Sequence, residues 1–138
     1  MTTEYELALQ EGRKVAILEM QRAIIDSGRD LGPASCPVEH LFAPGVYSRT
    51  ITMERGMQVI GKMHKHAHVN ILQQGEVFVF TEKEGAQILR APLRWISEPR
   101  TKRFVYVVQD AVWTTIHPTN KTDLAEIERD IIVPEEFV

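Results

Sequence analysis

The chain has 138 residues, of which 43% are hydrophobic and 25% charged, with a formal net charge of −3 and one cysteine. These values describe one globular domain; they exclude a disordered chain and an internal disulfide, and they give no electrostatic reason to bind nucleic acid or an anionic membrane. No apolar run has membrane-spanning length and the first residues are not a signal peptide, so we expect a soluble protein in the cytoplasm.

The first predicted element is an amphipathic helix over residues 3–27. Thr3 and Glu6 have the spacing of a capping box, and apolar residues recur at steps of three and four. Gly28 predicts the end of the helix. Residues 29–45 are rich in glycine and proline and predict an extended connector, so residues 1–45 form the first segment.

From residue 46 onwards, short β runs alternate with turn signals. We predict strands at residues 46–53, 57–68, 69–73, 76–81, 87–90, 104–108 and 111–117, with turns at Gly75, residues 82–85 and Gln109-Asp110. This spacing favours an antiparallel sandwich or barrel over residues 46–118. Asp123 and Glu126 predict the start of a short helix over residues 124–129, within a final segment of residues 119–138.

Three of the five histidines lie within five residues, at positions 64, 66 and 68. On an extended strand, alternate side chains share a face, so His64, His66 and His68 would point to the same side. Neutral imidazole is a common metal ligand, and the trio therefore predicts either a metal site or a pH-sensitive polar patch. A straight strand would separate His64 from His68 by about 13 Å, so His68 joins a shared ion only if the chain bends near Ala67.

The order of Gly61, the pair His64-Lys-His66 and Gly75 resembles the first motif of the cupin family. The stretch from Gly85 to Arg103 resembles a degraded second motif. The resemblance implies a double-stranded β-helix, the jelly-roll barrel of cupins, with its functional site inside the barrel mouth. The layout of one helix before and one after the barrel is similar to that of small cupin-like proteins encoded by bacteriophages. The glutamate of the first motif and the histidine of the second are missing here.

The candidate metal ligands are four histidines and one amide, for a divalent ion such as Fe, Mn, Ni or Zn: His64, His66, His68, His117 and Asn70. Asn70 offers either a neutral oxygen ligand or a hydrogen bond to another ligand. The candidate ligand pocket consists of Arg103, Tyr106 and Trp113. Arg103, in a basic cluster with Arg100 and Lys102, would suit a carboxylate or phosphate, with a solvated loop as the alternative.

Two functions are open from the sequence. The first is a metal-binding cupin with small-molecule chemistry, for which the resemblance includes oxygenases, isomerases and lyases and selects none of them. The second is a non-catalytic jelly-roll module for assembly, in a phage particle for example, with structural histidines. The apolar stripe of the N-terminal helix predicts a homo-oligomer, a dimer or higher, unless the helix packs across its own barrel.

Overall fold

The computed structural model describes residues 3–26 and 36–134. A long helix, α1, comes first, and a short helix, α2, follows the last strand. The helices and strands, in chain order, are α1 Glu4–Asp26, β1 Val38–Ala43, β2 Val46–Met53, β3 Gln58–Ile60, β4 His68–Thr81, β5 Gly85–Arg90, β6 Leu93–Ser97, β7 Arg103–Pro118 and α2 Leu124–Ile131. The prediction of a mainly β domain with a long N-terminal and a short C-terminal helix is confirmed.

Every strand pair is antiparallel. The sheet has the order β1-β2-β7-β4-β5, with β3 paired to β7 and β6 paired to β4. Strands β4 and β7 pair along most of their length, and different strands flank them at their two ends. This long central pair therefore runs from one end of the rolled sheet to the other and connects the strands that flank it at each end.

Two of the predicted turns are a single irregularity in the middle of the long strands. Gly75 lies opposite Gln109 and Asp110, where the β4–β7 register shifts. Gly75 has φ +96°, and a Cβ atom there would lie 2.3 Å from the backbone oxygen of Asp110. Only glycine tolerates both conditions, and the resulting bulge bends the strands without ending them.

Two segments differ from the prediction. Strand β3 ends at Ile60 and β4 begins at His68, so the predicted strand over residues 57–68 was wrong in its second half. Residues 38–43, which the prediction placed in the connector, form β1 and pair with β2 across the turn at Pro44 and Gly45. Prolines on both sides of this short run gave it the composition of a loop.

The main hydrophobic core fills the inside of the rolled sheet. Its buried members are Cys36, Ile51, Met53, Val59, Leu72, Val77, Val79, Val105, Val107, Ala111 and Trp113. A smaller cluster on the outer face joins Ile17 of α1 to Ile60 and Phe104. Helix α1 thus packs on its own barrel through one face, while several of its other apolar side chains remain exposed.

Both predicted helix starts are confirmed. The backbone N–H of Thr3 donates to the Glu6 carboxylate and that of Glu6 donates to the Thr3 hydroxyl. Asp123 caps α2 by accepting from the backbone N–H groups of Ala125 and Glu126. Within the described ranges, no helix has the length and apolar character needed to cross a membrane.

Candidate metal centre

The interior of the barrel changes from apolar to polar over three rows of paired residues. Strands β2, β7 and β4 lie side by side, so residues in register form rows across them. The first row is apolar and consists of Ile51, Trp113 and Leu72. Two residues further along, the row consists of Arg49, Thr115 and Asn70. At the end of the sheet Tyr47 is paired with His117, and the His68 ring centroid lies 5.0 Å from that of His117.

His64, His68 and His117 form a compact triad at this polar end. One ring nitrogen from each lies within 4.8 Å of those of the other two. The ring centroids are 4.2 Å apart for His64 and His68, 5.2 Å for His64 and His117, and 5.0 Å for His68 and His117. Ligand nitrogens around tetrahedral zinc lie about 3.3 Å apart, given the usual Zn–N length. Small side-chain rotations would therefore bring all three nitrogens onto one ion.

His64 reaches the triad from the loop before β4, and the C-terminal helix holds that loop. The backbone N–H of Lys65 donates to the carbonyl of Ile131 at 2.7 Å, and that of Arg100 donates to the carbonyl of His64 at 2.8 Å. The chain bends between His64 and His68, which brings the two rings into contact. The sequence analysis required a bend near Ala67 for His64 and His68 to share an ion, and the chain bends at residues 65 and 66.

All three imidazoles are neutral near pH 7. Burial lowers the pKa of His64 to about 3, and the electrostatic effects of His68, His117 and the nearby arginines act in the same direction. Burial, followed by charge repulsion, lowers the pKa of His117 to about 4. Burial and then Arg103 also lower the pKa of His68. A neutral imidazole keeps the nitrogen lone pair that a metal ion needs.

His68 is the most specific pointer to metal binding among the three histidines. It is 5% exposed, and within the described part of the chain neither of its ring nitrogens makes a hydrogen bond of regular geometry. The His66 backbone and the Asn70 side chain lie near enough to raise its pKa against the larger effect of burial, but their geometry does not satisfy the ring. Leaving a buried polar group unpaired costs about 1–3 kcal/mol, so such atoms require an explanation. A divalent ion held by three imidazoles fits this donor set, because zinc and its neighbours accept nitrogen ligands and keep a position open.

His117 has a neighbour that can orient its ring. Its Nε2 lies 3.1 Å from the Thr115 hydroxyl oxygen. When Nε2 donates to that oxygen, the Nδ1 lone pair is left for an ion, which is the usual arrangement of a metal-binding histidine and its outer partner.

Asn70 lies behind the triad and is fully buried. Its Nδ2 donates to the Ser97 hydroxyl at 2.7 Å, and its Oδ1 accepts from Trp113 Nε1 at 3.0 Å. The Ser97 hydroxyl also accepts from the Arg103 guanidinium, whose Cζ lies 5.3 Å from the centroid of the Trp113 ring. Asn70 therefore orders the predicted pocket residues Trp113 and Arg103, directly and through Ser97.

Two predicted site residues lie elsewhere. His66 is exposed and is not part of the triad. The expectation that three histidines alternate on one strand was wrong, because residues 61–67 are outside the sheet. Tyr106 is 39% exposed, whereas its strand neighbours Val105 and Val107 belong to the inner core, so Tyr106 faces outward.

Sequence reasoning missed Tyr47 and Arg49. The Tyr47 ring stacks on His117 at 6.0 Å between centroids, and its hydroxyl oxygen lies 2.7 Å from His40 Nδ1. The alternation along β2 could have placed both residues on the same face as Ile51. The pairing of β2 with β7, which puts them beside His117, has no local signal.

No protein-family model matches the sequence, and no curated protein is significantly similar to it. The structure is similar to solved cupins. An RmlC-like cupin family protein of Methanocaldococcus jannaschii, with a double-stranded β-helix fold, gives a TM-score of 0.53 at 13% identity, covering 62% of this chain and 82% of its own. A cupin 2 domain-containing protein of Halorhodospira halophila gives 0.52 at 16%, covering 70% and 77%.

KdgF from Halomonas sp. gives a TM-score of 0.52 at 14% identity, covering 65% of this chain and 83% of its own. Identities this low show the fold alone. The chain therefore has the cupin jelly-roll fold that the resemblance implied, and the function has to be argued from its own residues.

Proposed function

We propose that this protein is a small cupin-fold metalloprotein that binds one divalent ion through His64, His68 and His117. The observation that carries the proposal is His68, which is buried, makes no ring hydrogen bond of regular geometry among the described residues, and lies against two further neutral imidazoles. Three imidazoles suit zinc, iron or nickel and leave a coordination position for water or a small molecule. A bound ion supplies Lewis acidity, either to a bound water or to a carbonyl.

The chain's own residues prepare the ligand set. Burial keeps the three imidazoles neutral, so an ion does not have to displace protons from them near pH 7. The contacts of Lys65 and Arg100 hold the His64 loop, and Thr115 lies within hydrogen-bond distance of His117. Because the triad contains no carboxylate, it would leave the charge of the ion undiminished.

A second proposal is that the outer face serves in assembly of a homo-oligomer. The apolar side chains Tyr5, Leu7 and Val15 of α1 are exposed, and such surfaces often pack against a partner. This role is compatible with the metal site, because α1 lies outside the barrel. Sedimentation velocity of a Tyr5→Glu/Leu7→Glu variant should show a smaller species than the wild type.

Origin from a phage and a cytoplasmic or virion location stay predictions from the sequence.

Isothermal titration of Zn²⁺ into untagged, chelator-treated protein tests the metal proposal. We expect one ion per chain. His64→Ala, His68→Ala and His117→Ala should each weaken binding by roughly a hundredfold or more, because loss of an outer partner of a ligand already costs about 10–100-fold. His66→Ala is the matched control, since it removes an exposed imidazole from the same loop and should leave binding unchanged.

Circular dichroism would establish that each variant is folded. A wild-type chain that binds no zinc would overturn the proposal, as would zinc binding that depends on His66 and not on His117.

A further inference from the structure

Arg103 places a positive charge beside the triad without a matching carboxylate. Among the described side chains, no acidic group lies within ion-pair distance of its guanidinium. Glu82 and Glu84 act on Arg103 from further away, and the Glu82 carboxylate accepts the backbone N–H of Lys102 at 3.0 Å. Burial lowers the pKa of Arg103 to about 10, which still leaves it charged near pH 7. A poorly compensated charge inside a barrel is costly unless a ligand offsets it.

A second arginine adds to this positive field. Arg49 lies in the middle polar row, in register with Thr115. Its charge acts on His64 and His117, while that of Arg103 acts on His64 and His68. Two cations thus flank a ligand set that is itself neutral. A divalent ion in the triad would increase the positive charge further, so the open coordination position favours an anion.

The free donors near Arg103 match a carboxylate. A guanidinium has five N–H groups in a planar fork, and one nitrogen of the Arg103 guanidinium donates to the Ser97 hydroxyl. The Ser97 oxygen already accepts from Arg103 and from Asn70, so its own proton is free to donate to another acceptor. A planar carboxylate can accept from the fork and from this hydroxyl together.

The surroundings favour an organic anion over an inorganic one. Trp95 and Trp113 meet edge to face with 5.1 Å between their ring centroids, and both belong to the inner core or pack against it. The Trp113 ring centroid lies 5.3 Å from Cζ of Arg103, so apolar ring atoms adjoin the charged group. An inorganic anion would make no use of that surface.

We infer that the barrel binds a small organic carboxylate whose charged group is held by Arg103 and Ser97, next to the indole rings and the metal position. This inference rests on the proposed metal site, because the open coordination position supplies the second attachment. It makes Arg103 a ligand-binding residue.

Calorimetric titration of the zinc-loaded protein with simple probes tests the inference. Benzoate should bind at least about tenfold more tightly than benzamide, its neutral analogue, because a hydrogen bond to a charged group is stronger than one to a neutral group. Acetate should bind more weakly than benzoate, because it lacks the ring that would contact the indoles.

Arg103→Met should weaken benzoate binding about tenfold or more while zinc still binds at one ion per chain. Arg94→Gln, which removes an exposed arginine from β6, is the matched control and should change neither quantity. The Tm of metal-free Arg103→Met should not fall, since the variant removes a buried charge without a close counter-ion. Arg103→Lys keeps the charge without the fork, so it serves if the methionine variant does not fold, and it should also weaken benzoate binding.

The failures are distinguishable. A wild type that takes up no zinc overturns the proposed function and this inference with it. If the zinc-loaded wild type does not bind benzoate, or if the Arg103→Met variant binds it as tightly as the wild type, only the carboxylate inference is overturned. Inorganic phosphate that binds as tightly as benzoate and depends equally on Arg103 would overturn the assignment to an organic ligand. A marked fall in the Tm of metal-free Arg103→Met would assign Arg103 a structural role.

Discussion

The two ends of the barrel interior are built on the same strands, but burial stabilises the fold at one end and costs free energy at the other. At one end, Leu72 and Trp113 gain free energy from leaving water. At the other, two residues along the same strands, Asn70 and Thr115 are polar, and His68 follows with ring nitrogens that lack hydrogen bonds of regular geometry. The apolar end accounts for stability, whereas the polar end costs stability and therefore points to binding.

The largest effect expected is at the apolar end. Leu72 is fully buried, and Leu72→Ala removes its contacts and leaves a cavity beside Trp113. The free energy of unfolding should fall by about 2–5 kcal/mol. Urea denaturation of metal-free protein measures it. A loss below about 1 kcal/mol would contradict the assignment of this end as the stabilising core.

Acid should destabilise the polar end of the metal-free protein. The folded-state pKa is about 3 for His64 and about 4 for His117, below the 6.5 of an unfolded chain. Between these values the unfolded chain binds more protons than the folded one. The free energy of unfolding should therefore fall as the pH is lowered from about 6.5 towards 4, by up to about 1.4 kcal/mol per pH unit for each histidine.

Urea denaturation at several pH values, compared between wild type and His117→Gln, isolates this contribution. The variant should show a shallower slope through that window, and His66→Gln, changed at an exposed position, should keep the wild-type slope. Equal slopes for all three proteins would contradict the assignment of His117 as a buried neutral group.

The smallest change in stability is expected when an apolar residue is placed at the polar end of the barrel interior. His68→Leu replaces two buried ring nitrogens that lack hydrogen bonds of regular geometry by apolar atoms, so the metal-free protein should stay within about 1 kcal/mol of wild type or become more stable. Thermal unfolding measures this. The same variant should no longer be stabilised by added zinc. A large loss of stability in the absence of metal would show that His68 is structural.

Local patterns predicted much of the fold. The alternation in residues 46–53 gave the bounds of β2, and both helix starts follow from side chains within three residues of each other. Strand β1 was missed because its pairing with β2 outweighs the prolines around it. Gly75 and the Gln109-Asp110 pair look like turns in isolation, since only the pairing of β4 with β7 shows that they face each other.

The site was predicted in part for the same reason. The histidine cluster predicts His64 and His68 as ligands, and His117 is among the sequence's candidate ligands as well. The grouping of His66 with them assumed an extended strand. The loop instead bends, and Lys65 bonds to Ile131 of the C-terminal helix, a contact between residues far apart in the sequence. No local pattern predicts such a contact.

The central claim is that His64, His68 and His117 share one ion. The most direct measurement is anomalous diffraction at the zinc absorption edge from crystals of the zinc-loaded protein. We expect one strong peak about 2.0–2.2 Å from a ring nitrogen of each of the three histidines. A peak on exposed His66, or no peak among the three rings, would contradict it.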